Sequence, residues 1–76
     1  MVLKIDNIEN SVVDTYFIHK VEKSRNCVSL VLDHGVIMLT ETQYEILGEP
    51  HSALLVYHED GQVTGLENGG FIYSSN

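Results

Sequence analysis

The sequence predicts a mainly β domain: a small, strongly bent antiparallel sheet or SH3-like barrel of six to seven strands, with one short helix at about residues 41–47. Three observations predict it. Glycines at positions 35, 48, 61, 65, 69 and 70 cut the chain into short pieces, the punctuation of a β meander rather than a helical bundle. The stretch before the first glycine is rich in β-branched residues and partly alternates in polarity. Helix start and stop signals occur together only around Thr40 to Gly48. Seventy-six residues make a single domain, 1–76. Apolar content of 43% suffices for one small core and is too high for a disordered acidic tail.

Val2 to Ile5 reads as a first strand and Asp6 to Asn10 as a loop. Over Ser11 to Lys23, alternation puts Val13, Thr15, Phe17, His19 and Val21 on one face, with Asp14, Tyr16, Ile18, Lys20 and Glu22 on the other. Val12 and Ile18 break the pattern, and a bulge near Tyr16 to Ile18 would correct the register. Ser24-Arg25-Asn26 is a turn. Cys27 to Leu32 follows, with Val28, Leu30 and Leu32 on one face, and Asp33-His34-Gly35 turns it into Val36 to Leu39.

Thr40 then suits a helix N-cap, and Gln43 three residues on completes a capping box. Glu41 falls in the first turn, where the helix dipole favours an anion. Tyr44 and Leu47 can face the core together. Gly48 suits the stop, and Pro50 disfavours helical geometry at Glu49. Two turns cannot stand alone, so this helix must pack on the sheet. Ser52 to Tyr57 is the most apolar strand, turned at Asp60-Gly61 into Gln62 to Glu67. Asn68-Gly69-Gly70 turns again into Phe71 to Tyr73.

Charge is distributed unevenly. Lys4, Lys20, Lys23 and Arg25 are the only Lys and Arg residues, and Asp6, Glu9, Asp14 and Glu22 balance them. Beyond Asn26 come Asp33, Glu41, Glu45, Glu49, Glu59, Asp60 and Glu67 with no Lys or Arg, so the net charge of −7 belongs to the last two thirds. A one-signed region presents a field to whatever approaches. It also argues against nucleic acid and anionic membranes as direct ligands, since phosphates are held mainly by Lys and Arg. One cysteine, Cys27, permits no internal disulfide, and neither a signal-length nor a membrane-length apolar run is present. These features point to a cytoplasmic protein.

Catalytic and metal-binding arrangements find little support. His19, His34, His51 and His58 lack helical ligand spacing, and Cys27 has no CxxC partner. His58-Glu59-Asp60 is best read as a polar turn. Cys27 with His19 across a strand pair lacks an orienting group and an oxyanion hole. Paired carboxylates such as Glu41 and Glu45 would need a cleft that so short a chain has little material to build. The glycine-rich stretches match neither phosphate-binding pattern. No cofactor, no metal and no enzymatic activity are expected.

The acids of the second half carry the functional expectation. Glu41 and Glu45 would stand about 6 Å apart on one helix face, a spacing of the same order as that between phosphates of one nucleic-acid strand. The expected function is a small acidic, non-enzymatic binding protein, an inhibitor or modulator occupying a basic, nucleic-acid-binding surface of a partner such as a nucleic-acid-processing enzyme. In size and composition it compares with the small acidic inhibitors of phages and mobile elements, although no motif matches a family. The expected contact residues are Glu41, Glu45, Glu49, Glu59 and Asp60. The alternative is an SH3-like adaptor or self-assembly module, a homodimer included, binding through an edge strand or through outward Tyr16, Ile18, Val31, Tyr57 and Tyr73.

Overall fold

The computed structural model describes residues 2–68. Among these the chain is mainly β, with six antiparallel strands in one open sheet and one helix. The elements are β1 (Val2–Lys4), β2 (Val12–Lys23), β3 (Cys27–Leu32), β4 (Gly35–Thr40), α1 (Glu41–Leu47), β5 (Ala53–Glu59) and β6 (Gln62–Glu67). The strand order is β1-β6-β5-β2-β3-β4. No ladder joins β1 to β4, so among the described residues the sheet does not close into a barrel. The expected turn at Gly69-Gly70 and strand at Phe71 to Tyr73 lie outside the described residues.

The long strand β2 belongs to both halves of the sheet. Its first half pairs with β5, from Val12↔His58 to Phe17↔Ala53. Its second half pairs with β3, from Ile18↔Leu32 to Lys23↔Val28. One strand serving two partners in succession requires a bend there, and the register shifts between Ile18 and Lys20. The bulge therefore falls at His19, just beyond the position the sequence suggests.

That placement overturns the expected faces of β2. Tyr16 and Ile18 pack against the core, whereas Val13 and Phe17 are 46% and 58% exposed. Past the bulge the parity changes and Val21 turns inward. A one-residue insertion exchanges the two faces of everything on one side of it, so a single alternation pattern cannot describe the strand.

Elsewhere the alternation holds. Val28, Leu30 and Leu32 of β3 are buried, as are Leu39 of β4, Leu54 and Val56 of β5, and Leu66 of β6. Leu3 of β1 and Leu47 of α1 complete the core. Each buried leucine contributes about 1.5–3 kcal/mol relative to exposure. The helix lies against β1, β3 and β4. It thus touches both edge strands, and so spans the opening that barrel closure would have filled with a strand ladder.

The two hairpin turns differ. Asp60 and Gly61 have φ of 53° and 82°, and Glu59 pairs with Gln62 across them. Two consecutive positive φ values make the turn whose twist matches the flanking strands. Glu59 consequently belongs to β5 rather than to the turn. In the β3–β4 hairpin, Leu32 pairs with Gly35, which begins β4 with φ 135°.

A second bulge, in β6, holds the first loop in place. Tyr57 pairs with Gly65 but His58 with Val63, leaving Thr64 unpaired. Thr64 is buried; its carbonyl accepts from Ile5 N–H and Asp6 N–H, both at 2.9 Å, and its hydroxyl lies 2.6 Å from that of Ser11. Beside it, a Cβ on Gly65 would come within 3.0 Å of Ile8 Cγ2 and 3.2 Å of the Leu3 carbonyl oxygen. Glycine here permits the close approach of β1 and its loop.

Candidate partner-binding surface

The helix forms where the capping box predicts. Gln43 N–H donates to Thr40 Oγ1 and Thr40 N–H donates to Gln43 Oε1, both at 3.0 Å. Two otherwise orphaned donors are satisfied reciprocally, which fixes the first turn. At the other end Gly48 takes φ 87° and its N–H donates to the Tyr44 carbonyl at 2.9 Å. Fully buried Leu47 and half-buried Tyr44 face the sheet. Glu41 and Glu45 are thereby left exposed.

Glu49 follows just past the helix. It is exposed, and its carbonyl accepts from Asn68 Nδ2 at 3.0 Å, which ties the segment to the end of β6. Its side chain is felt by Tyr44, whose phenol pKa is raised first by burial and then by the Glu49 charge.

Lys23, Val28, Glu41, Tyr44 and Glu45 line an open hollow of about 250 Å³. The Lys23 ammonium stands 5.5 Å from the centre of the Tyr44 ring. The hairpin from β2 into β3 therefore carries one cation of the balanced first third onto the acidic helix. Sequence separation hides this juxtaposition, since Lys23 and Glu41 meet only through the β2–β3–β4 ladder. Even so, among the described residues no Lys or Arg forms a salt bridge with any acid beyond Asn26; the Lys20–Glu22 pair at 3.0 Å lies within the first third.

Glu59 and Asp60 stand apart from this group. The β5–β6 hairpin closes at Glu59↔Gln62, whereas its other end, at Leu55↔Glu67, leads to Asn68 and hence to Glu49. From Gln62 to Glu67 the strand extends about 17 Å. Glu41, Glu45 and Glu49 thus form one acidic group at the helix, with Glu59 and Asp60 at the far hairpin tip.

The remaining polar candidates have local partners. His58 Nε2 lies 2.6 Å from Asp14 Oδ2. His34 packs edge-on against Tyr16 with ring centres 4.9 Å apart, and its Nδ1 is 3.9 Å from Asp33 Oδ1. Register separates Cys27 from His19: Cys27 sits beyond the Lys23↔Val28 pair and His19 beside Ile18↔Leu32, at opposite ends of the β2–β3 ladder. Among the described residues no group of three or more His, Cys, Asp or Glu side chains is placed to hold a metal ion. No helix there is long and apolar enough to cross a membrane.

Two of the outward residues expected of an adaptor, Tyr16 and Ile18, pack inward instead. Val31 and Tyr57 are half-buried, and Tyr73 lies outside the described residues. The most exposed large apolar side chains are Met38 at 63%, Val12 at 59%, and Val36 and Phe17 at 58%. Comparison with protein-family models, curated proteins and solved structures finds no match to this chain.

Proposed function

We propose that this chain is a small acidic binding protein acting in the cytosol as an inhibitor or modulator, and that it occupies a basic surface of a partner that otherwise holds nucleic acid. One observation carries the reading: Glu41 and Glu45 are exposed on a helix fixed at both ends, Glu49 follows, and none is neutralised by a salt bridge to Lys or Arg. Carboxylates held on a capped element need little ordering when they meet a basic groove. Their field speeds encounter and selects against acidic partners. Glu59 and Asp60 extend the same sign of potential to the far hairpin and serve a partner that spans the domain.

The test is retrieval of partners from host lysate at low salt, identified by mass spectrometry, followed by affinity measurement with the purified partner. Affinity is expected to fall by about tenfold or more between low and high salt, because exposed charges are screened within about a Debye length. Replacing Glu41, Glu45 and Glu49 together by Gln is expected to reproduce that loss at low salt. An affinity indifferent to both salt and the triple replacement sinks the proposal.

A further inference from the structure

Strand β4 is an edge without the usual protections. Natural edge strands are kept from pairing with other chains by shortness, charge, proline, a bulge or a covering element. The opposite edge, β1, has two of these: it is three residues long and ends in Lys4. Strand β4 is six residues long, Gly-Val-Ile-Met-Leu-Thr, with neither charge nor proline. Its ladder with β3 runs through six pairs without irregularity, from Cys27↔Thr40 to Leu32↔Gly35. Among the described residues no strand pairs with its other side. Val36 and Met38 on its outer face are 58% and 63% exposed.

We infer that β4 pairs antiparallel with β4 of a second copy, joining two sheets across a two-fold axis. Charge favours this occupant. In a two-fold pairing the strand meets itself, so a charged residue would face or neighbour its own copy. In a chain of net charge −7 this edge carries no charge and escapes that repulsion. The pleat then selects the register. Ile37 and Leu39 point inward and Val36 and Met38 outward, and opposed residues must share a face. Placing Ile37 on the axis satisfies this, with Val36 opposite the partner's Met38 and Gly35 opposite the partner's Leu39. Placing Met38 on the axis also satisfies the pleat, but it sets Val36 opposite the partner's Thr40. The Ile37-centred register is therefore preferred, because it forms one apolar strip from both copies of Val36 and Met38. Such a contact is isologous and closed, so it ends at a dimer.

Light scattering coupled to size-exclusion chromatography tests this on the full chain. The expected mass is twice the 8.5 kDa of one chain, at high as well as low salt. Val36→Lys and Met38→Lys, each checked for a retained fold by circular dichroism, are expected to raise the dimer dissociation constant at least about tenfold, because each sets a charge in the pairing strand. Added lysines lower the net negative charge, so non-specific association would increase instead. Val13→Lys, at an exposed apolar site on β2, is expected to leave the dimer intact. A monomeric full chain, or a dimer indifferent to both β4 variants, overturns the inference. Replacing Glu41, Glu45 and Glu49 by Gln leaves this dimer in place, so failure of the acidic-surface reading and failure of the β4 pairing give different results.

Discussion

Asp33 and Phe17 are joined twice: Asp33 N–H donates to the Phe17 carbonyl at 2.9 Å, and Phe17 N–H donates to Asp33 Oδ1 at 3.1 Å. The first is a backbone bond and the second uses a side chain, so Asp33 extends the β2–β3 ladder one step past Ile18↔Leu32. This is where β2 passes from pairing with β5 to pairing with β3. Asp33→Ala removes the acceptor and leaves the Phe17 amide without its partner. The expected loss is about 1–3 kcal/mol in urea denaturation, the range for hydrogen bonds to charged groups. Asp33→Asn keeps an amide oxygen in place and is expected to recover more than half of it. Equal stability of Asp33→Ala and the native chain would show that the side-chain bond contributes nothing.

The cap at Thr40 supports the binding surface as well as the fold. With seven residues, α1 has little intrinsic stability and depends on its first turn and on Leu47. Thr40→Ala is expected to cost about 0.5–2 kcal/mol by chemical denaturation. Thr40→Ser keeps the acceptor and is expected to stay close to the native value. Because Glu41 directly follows the cap, partner affinity should fall for Thr40→Ala and hold for Thr40→Ser.

The outcome for α1 shows what a sequence can convey about this fold. Its bounds, its cap and the outward placement of Glu41 and Glu45 follow from residues within four positions of one another, and local chemistry decides them. The β3–β4 hairpin was legible for a similar reason, since its alternation is unbroken. The first half of β2 was not, because the bulge at His19 answers to a change of partner strand that local sequence does not encode. Glu59 and Asp60 were grouped with the helix acids only by sign of charge. Their separation comes from the hairpin running the full length of β6 between them and Asn68. Lys23 beside Glu41 was missed because three strands and two turns intervene in the chain.

Two tyrosines are expected to titrate late. The Tyr57 hydroxyl donates to Glu67 Oε1 at 2.8 Å. Its pKa is raised above 10.0 first by that hydrogen bond, then by desolvation and by the Glu67 charge. Tyr44 is raised by burial and then by Glu49. The sign follows from the neutral phenol being the favoured form in the fold. The stabilisation is complete below the unfolded pKa of about 10 and is lost as pH rises through the higher folded value. Phenolate absorbance at alkaline pH should therefore develop later in the folded chain than after denaturation. Glu67→Ala is expected to lower the Tyr57 midpoint, and Glu49→Gln to lower that of Tyr44. A midpoint for Tyr57 that does not move in Glu67→Ala would rule out the hydrogen bond as the cause.

Lys23 opposes the acidic surface from within. Its ammonium stands over the Tyr44 ring at 5.5 Å and lines the same hollow as Glu41 and Glu45, so any cation a partner inserts there meets a resident positive charge. The contact with Tyr44 is worth about 0.5–1 kcal/mol at an exposed site, and Lys23→Gln should lower stability by no more than that. Its effect on binding should have the opposite sign. Removing one positive charge beside two carboxylates deepens the local potential, and an exposed pair interaction is worth up to about 1 kcal/mol. Affinity for an oligolysine peptide at low salt is therefore expected to rise by up to about fivefold in Lys23→Gln, with the gain vanishing at high salt. Lys20→Gln is the control, because Lys20 pairs with Glu22 rather than with the helix; the same gain there would mean that net charge alone governs binding. A fall in affinity for Lys23→Gln would instead mean that Lys23 orders the hollow through Tyr44 rather than competing for it.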